Sequence, residues 1–164
     1  FRTTTSVTNL ELGDSVQEIG TYAFYNCTGL AGDLVLPEQL RVIGAYAFYG
    51  CSGIDGTLYL PANLTTIEKH AFRECIGISG DIRMPRSLQS IGDYAFLGDT
   101  SIRTVYMYGT NLTAIGSDAF SKSMGGNRLD IVMHVPYRNS YVVNWAKSCG
   151  FSQAGGDLIL YYGW

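Results

Sequence analysis

The chain has 164 residues, a length that fits one domain. It is 46% hydrophobic and 15% charged, a balance that excludes intrinsic disorder. A net charge of −3 and the lack of any Lys/Arg cluster argue against a nucleic-acid partner, and no stretch of about 18 apolar residues predicts a membrane span.

The first residues of the chain give little information about fold. Residues 1–8 are polar and rich in Thr, and residues 1–20 lack the basic and apolar segments of a signal peptide. Nothing in this stretch has the pattern of a cap that would cover the first repeat. We therefore expect further coils or another domain to precede it in the full protein.

A hexapeptide pattern then recurs five times, always 24 residues apart. It has the form Ile-Gly-x-x-Ala-Phe, with Glu68 replacing Gly in the third copy. The copies begin at Ile19, Ile43, Ile67, Ile91 and Ile115. Repeats of this length cannot bury an apolar face alone, so their stacking predicts a solenoid.

Each unit also has two apolar positions separated by one residue and followed by Pro or Gly. In the second unit these are Leu34 and Leu36, followed by Pro37. The positions at 24-residue spacing are Leu10 and Leu12, Leu58 and Leu60, Ile82 and Met84, and Tyr106 and Tyr108. The alternation predicts a short strand that ends at Pro or Gly, and the hexapeptide predicts a helical or 3₁₀ turn that returns the chain.

The spacing and residue types are those of leucine-rich repeats. The second unit, from Leu34 through Ile43, Phe48 and Cys51 to Ile54, resembles the BspA-like subclass of bacterial cell-surface and secreted proteins. The resemblance extends from about residue 9 to residue 124 and implies an α/β repeat solenoid. That fold is a right-handed superhelix with short parallel strands and 24-residue coils.

The repeat decays after Phe120, and the remaining segment is expected to cap the last coil. Residues 129–135 alternate and predict a sixth strand, residues 139–148 have helical spacing with Gly150 as a C-cap, and residues 158–162 predict a last strand. We therefore divide the single domain into a solenoid of five coils over 1–124 and a C-terminal capping segment over 125–164.

Three cysteines share one column of the repeat and invite a metal or disulfide interpretation. Cys27, Cys51 and Cys75 lie 24 residues apart, close enough on adjacent coils for a disulfide. However, Asp99 and Ser123 continue the column, which favours free thiols that bond the turn backbone. No Cys-x-x-Cys spacing occurs, so we expect neither a metal nor a cofactor.

Catalytic patterns are weak. The chain contains no nucleophile elbow, phosphate-binding loop or His-Glu-x-x-His motif, and His70 and His134 are expected to be structural or surface residues. Asp33 and Asp81 lie two coils apart, about 10 Å by strand spacing, which would suit an inverting carbohydrate hydrolase. Scattered solvated carboxylates explain them more simply, so no catalytic residue is assigned.

The outward positions of the predicted strands form the candidate ligand-binding face. They are Glu11, Val35, Tyr59, Arg83 and Met107, with Asn9, Asp33, Thr57, Asp81 and Val105 two residues earlier. Five strands give this face about 200–350 Å², against about 800 Å² per partner in a standard protein interface. Tyr22, Tyr46 and Tyr94 form a second candidate surface, for which packing along the return layer is the favoured alternative.

The resemblance implies a non-enzymatic module at the cell surface or secreted, adhering to host proteins or neighbouring cells. The expected partner is an extracellular protein or glycan. A passive spacer within a larger surface protein is the main alternative, and a hydrolase on the same scaffold is the third. A contiguous exposed apolar patch on the strand face would favour binding, whereas a uniformly polar face would favour the spacer.

Overall fold

The computed structural model describes residues 2–125, 127–136 and 138–161. Its elements are short parallel strands stacked coil upon coil, with one helix among the described residues. In chain order they are β1 (Glu18–Ile19), β2 (Leu34–Val35), β3 (Val42–Ile43), β4 (Leu58–Tyr59), β5 (Thr66–Ile67), β6 (Gly80–Met84), β7 (Ser90–Ile91), β8 (Ile102–Met107), β9 (Ala114–Ile115), β10 (Val132–Pro136), α1 (Ser140–Ser148) and β11 (Leu158–Tyr161). The predicted solenoid with 24-residue coils is confirmed, and its helix content is low.

From the second coil to the fifth, each coil contributes to two different sheets, of which the sequence predicted one. The first row of sheets contains the predicted apolar-x-apolar strands, as a pair β2-β4 and a four-stranded sheet β6-β8-β10-β11. The second is a five-stranded sheet, β1-β3-β5-β7-β9, in which each strand ends at the Ile of the hexapeptide. The β-branched residues at these positions, such as Val42 and Thr66, favour strand over turn.

The glycine of the hexapeptide is required where consecutive coils approach closely. A Cβ added at Gly44 would lie 2.7 Å from the carbonyl oxygen of Ile19, and one at Gly92 would lie 2.3 Å from the amide nitrogen of Lys69. Glu68, which replaces Gly in the third copy, accepts a hydrogen bond of 2.8 Å from the amide of Ala45. In the third copy, where Gly is absent, the Glu68 carboxylate thus links the second and third coils.

The fifth coil departs from the predicted register by one residue. Ile82 pairs with Val105 and Met84 pairs with Met107, so these two residues of β8 point into the core and are fully buried. The prediction that Val105 and Met107 face outward is wrong. One fewer residue separates Ile102 from Val105 than separates Ile78 from Ile82, and one more separates Met107 from Leu112 than Met84 from Leu88. A one-residue slip exchanges the two faces of a strand.

The first coil is also less regular than predicted. Residues 9–12 form no strand, and β2 pairs only with β4. Leu10 and Leu12 are partly buried and pack against the core, whereas Glu11 is exposed. The first predicted strand is therefore replaced by irregular chain that still contributes its leucines to the core.

The hexapeptide returns the chain through turns, and neither a helical nor a 3₁₀ turn, the two predicted forms, is present there. Amides alternate between two partners: that of Phe24 donates to Ala47 in the next coil, and that of Tyr25 donates back to Tyr22. Helical geometry would keep all these bonds within the segment. Tyr22 and Asn26 instead have φ of 60° and 53°, and equivalent residues in later coils also have positive φ.

A column of stacked phenylalanines fills the space between the sheets and the turns. The rings of Phe24, Phe48, Phe72, Phe96 and Phe120 lie 5.1–5.4 Å apart and are nearly parallel. The neighbouring alanine column is buried from Ala47 onward, which allows this close spacing. The assignments of Phe and Ala to the core are confirmed.

The C-terminal segment extends the solenoid and packs against its last coil. Strand β10 pairs with both β8 and β11, which confirms the predicted sixth strand and the last one. Asn139 caps α1: its Oδ1 accepts from the amide of Val142, and its Nδ2 donates to the carbonyls of Gly109 and Leu112. At the other end Gly150, with φ of 89°, lies in a Schellman motif, as the predicted C-cap requires.

Candidate functional site

The outward side chains of the first row of sheets lie on one side of the solenoid, in two groups on β2-β4 and on β6-β8-β10-β11, which together we call the strand face. Parallel register places Val35 beside Tyr59, Arg83 beside Tyr106, and Tyr106 beside His134. Val35 and Tyr59 are 63% and 50% exposed, and the Arg83 side chain is 62% exposed. The second group continues to Ile159 on β11, which is 40% exposed.

The centre of the strand face is a cluster of aromatic and charged side chains, the Arg83 cluster, made of Asp81, Arg83, Tyr106, Tyr108 and His134. The guanidinium carbon of Arg83 lies 4.8 Å from the ring centroid of Tyr106, and Nη1 donates to the hydroxyl of Tyr108 at 2.7 Å. His134 stacks on Tyr106 at 4.4 Å. The register shift of the fifth coil creates this cluster, because it turns both tyrosines outward.

Charge within the Arg83 cluster is only loosely compensated. Oδ2 of Asp81 lies 3.9 Å from Nη2 of Arg83, beyond hydrogen-bonding distance, and both side chains are substantially exposed. Such a pair contributes about 0–1 kcal/mol. Burial lowers the pKa of His134, while the Asp81 carboxylate opposes that shift. Arg83 is therefore the fixed positive charge of the cluster at neutral pH.

The remaining predicted face residues lie at the surface, and the first coils are more polar. Glu11 and Asp33 are exposed, and Thr57 is half-buried. Oδ1 of Asp33 accepts from the amide of Thr57 at 2.7 Å. That bond gives Asp33 a structural role, whereas Asp81 only faces the Arg83 guanidinium at 3.9 Å.

The second candidate surface is a stack of rings. Tyr22, Tyr46, His70 and Tyr94 have centroids 4.5–4.9 Å apart. Because the ring faces contact one another, these side chains pack along the return layer, which was the favoured alternative to a binding surface. Burial lowers the pKa of His70, whose Nδ1 is buried without a partner among the described residues.

The cysteine column contains free thiols. Sγ of Cys51 donates to the carbonyl of Phe24 at 3.0 Å, and Sγ of Cys75 donates to the carbonyl of Phe48 at 2.9 Å. Both side chains are fully buried, and burial raises the pKa of Cys75 well above its usual value. The expected role, a small group bonded to turn backbone, is confirmed for these two residues.

Asp99 continues this column with a carboxyl group in place of a thiol. It is fully buried, and neither carboxylate oxygen has a hydrogen-bond partner among the described residues. Burial raises its pKa well above the ordinary value. The group is a cost to stability, and its closed surroundings offer no access to a substrate.

A shallow groove of about 530 Å³ lies over the five-stranded sheet, where Tyr141 of α1 overhangs β9. The hydroxyl of Tyr141 accepts from the amide of Ile115 and so covers the edge of that strand. The groove is lined mainly by backbone and by side chains such as Thr66, Ser90 and Lys69. The lining also includes the carboxylates of Glu68 and Asp93, which accept hydrogen bonds from the backbone amides of Ala45 and Ser117 and so have structural roles.

The described part of the chain contains no group of three or more His, Cys, Asp or Glu side chains placed to hold a metal ion. None of its helices has the length and apolarity needed to cross a membrane.

Comparison with known proteins decides the family. The protein-family model for the BspA-type leucine-rich repeat region matches residues 1–127 in six copies. The chain belongs to this family. Six copies exceed the five coils expected from the hexapeptide, which agrees with a solenoid of about six turns.

Two solved structures of leucine-rich repeat proteins are similar to this family member. A leucine-rich repeat protein of T. pallidum has 34% sequence identity and a TM-score of 0.62, with 73% of this chain and 52% of that one covered. A leucine-rich cell surface protein of Faecalibacterium prausnitzii A2-165 has 27% identity and a TM-score of 0.53, with coverage of 73% and 37%. The matched region thus spans about half or less of each relative. No curated protein sequence matches the chain significantly.

Proposed function

We propose that this repeat region is a non-enzymatic binding module that recognises an extracellular protein through the strand face. The supporting observation is the composition of that face: exposed Val35, Tyr59 and Arg83 and half-buried Tyr106 and His134 occupy outward positions on consecutive coils. Tyr and Arg are enriched among the residues that dominate binding energy in protein interfaces.

Cell-surface or secreted location is part of this proposal. The family resemblance supports it, as does a neighbour described as a leucine-rich cell surface protein. Adhesion to host proteins or neighbouring cells would follow from such a location. The strand face alone is smaller than the roughly 800 Å² per partner of a standard interface, so we expect the adjoining turns to contribute.

A passive spacer is the alternative, and the mixed character of the face argues against it. A spacer needs only a soluble outer surface, so exposed Val35 and Tyr59 would have no role in it. Glu11 and Asp33 are polar as a spacer surface would be, but exposed Val35 lies in the same coil as Asp33.

The test is binding of the chain to an immobilised panel of extracellular-matrix proteins and glycans. The variant carries Ala at Tyr59, Arg83 and Tyr106. The matched control carries Ala at Arg41, Lys69 and Gln89, which are exposed away from the strand face. We expect saturable binding to a protein that the first variant loses and the control retains.

Two results would contradict the proposal. The absence of binding to any panel member would favour the spacer, and equal loss in both variants would place the contact elsewhere. Circular dichroism and melting of both variants would confirm that they remain folded, which makes the comparison valid.

A further inference from the structure

We propose that Arg83 is a docking point for a carboxylate side chain, Glu or Asp, in an acidic segment of the protein partner. This inference rests on the proposed binding role of the strand face and specifies the chemistry at its centre. It depends on the arrangement of Arg83 among Tyr106, Tyr108 and Asp81.

The guanidinium of Arg83 is held in place before any ligand arrives. Its flat face lies over the ring of Tyr106, and one terminal nitrogen is fixed by the Tyr108 hydroxyl. His134 supports the opposite side of Tyr106, so the ring has little freedom to move. An arginine held in this way loses less side-chain entropy on binding than a free one.

The same guanidinium retains unused capacity for a carboxylate. A guanidinium has five N–H donors, and the one hydrogen bond formed by Arg83 within the described residues goes to a neutral hydroxyl. Oδ2 of Asp81 lies 3.9 Å from Nη2 of Arg83, where the carboxylate attracts the guanidinium without a hydrogen bond. A carboxylate that approaches from solvent can therefore form the short charge-assisted pair that Asp81 does not form.

Side chains around Arg83 favour a protein segment over a simple anion. Tyr59 and Val35 lie on the same face, and they provide exposed aromatic and aliphatic contacts beside the charge. An extended partner segment could place its acidic side chain on Arg83 and its neighbouring apolar side chains on Tyr59 and Val35. The bulged register of β6 and β8 supports a specialised site, because such irregularities re-aim side chains beside functional positions.

The experiment is an NMR titration of the full chain with two blocked pentapeptides, Gly-Glu-Tyr-Glu-Gly and Gly-Gln-Tyr-Gln-Gly. The Nε–H of Arg83 and the ring protons of Tyr106 report on the site. We expect saturable shifts with the Glu peptide and not with the Gln peptide. Arg83→Gln and Arg83→Lys should weaken binding about tenfold, because Lys lacks the planar fork.

Asp81→Asn is a variant whose expected effect on binding of the Glu peptide is opposite to that of Arg83→Gln. It removes the competing carboxylate and should strengthen binding of the Glu peptide by about two- to fivefold. Arg86→Gln, which changes the net charge as Arg83→Gln does but at an exposed residue in the turn after β6, should leave binding unchanged. This opposite pair of effects separates local recognition from a change in net charge.

The proposal is overturned if both peptides give equal shifts, or if Arg83→Gln does not weaken binding. It is also overturned if a glucuronate polymer shifts Arg83 while the Glu peptide does not, since the partner would then be a glycan. These outcomes leave the panel experiment independent: binding lost in the triple variant but retained by Arg83→Gln would preserve the proposed function and reject this docking point.

Discussion

At the scale of single residues, stability comes from columns in which each coil repeats the contact of the one before. Phe72 shows the principle: it is fully buried, and its ring stacks on Phe48 at 5.4 Å and on Phe96 at 5.3 Å. Dispersion and apolar burial accumulate along such a column, because every ring inside it has close neighbours on both sides.

Phe72→Ala should therefore destabilise the chain by about 3–5 kcal/mol, because removal of the ring leaves a cavity between two coils. Equilibrium unfolding in urea measures the change. Ile76→Ala is the control, since Ile76 is 51% exposed and its truncation should cost about 0.5 kcal/mol or less. A similar effect of the two substitutions would contradict the column.

Asp99→Cys should stabilise the chain at pH 7 by about 1–3 kcal/mol, because it replaces an unpartnered buried carboxyl with the residue used in earlier coils. Burial raises the folded-state pKa of Asp99 above the unfolded value of about 3.9. Raising the pH above about 4 therefore ionises the unfolded chain first and lowers stability, until the raised folded pKa is passed.

Melting of both proteins between pH 4 and pH 7 tests this sign. The advantage of the Cys variant should grow as pH rises from 4 to 7, and the part that remains at pH 4 reflects the unpartnered neutral carboxyl. An advantage that is independent of pH would mean that Asp99 ionises equally in both states, and that burial does not shift its pKa.

At the scale of elements, two polar side chains tie the C-terminal helix to the solenoid, Tyr141 through the amide of Ile115 and Asn139 through two carbonyls. Asn139 is 6% exposed, caps α1 with its oxygen and satisfies two carbonyls of the fifth coil with its nitrogen. The helix has only nine residues, too few to be stable alone in water, so its packing and its caps decide whether it forms.

Asn139→Ala should cost about 2–3 kcal/mol, the sum of a lost N-cap and two carbonyls without a donor. Ser140→Ala, an exposed change at the next position, should have little effect. Thermal unfolding measures both. Comparable losses in the two variants would show that Asn139 does not anchor the helix.

The elements also show where sequence reasoning was sufficient and where it failed. Positions fixed by burial, such as Ile19 and Phe24, recur at 24 residues and were predictable. The second sheet was missed because two-residue strands are too short to show alternation. The left-handed backbone at Tyr22 was missed because Gly is the residue that usually adopts this conformation, and a Tyr does not indicate it. Bonds between coils decide both features, and a single unit does not reveal them.

At the scale of the whole molecule, the important failure was the register of the fifth coil. One residue is missing before β8 and one is added after it, so the spacing of the hexapeptide is unchanged and conceals the slip. The residue types of this segment did carry a signal of the slipped register. Ile102, Val105 and Met107 are purely apolar, whereas Tyr106 and Tyr108 are amphipathic. Arg83 and Tyr59 were placed correctly because their strands keep the common register.

The central claim is that this slip turns Tyr106 outward and Met107 inward, which creates the Arg83 cluster on the strand face. The most direct test compares thiol labelling rates of Tyr106→Cys and Met107→Cys, each in a Cys149→Ser background, because Cys149 is exposed and would react. The native fold of each variant is verified first by circular dichroism. We predict that the thiol at 106 labels at least about tenfold faster than that at 107. Faster labelling at 107 would restore the uniform register and remove the cluster on which the proposed binding face depends.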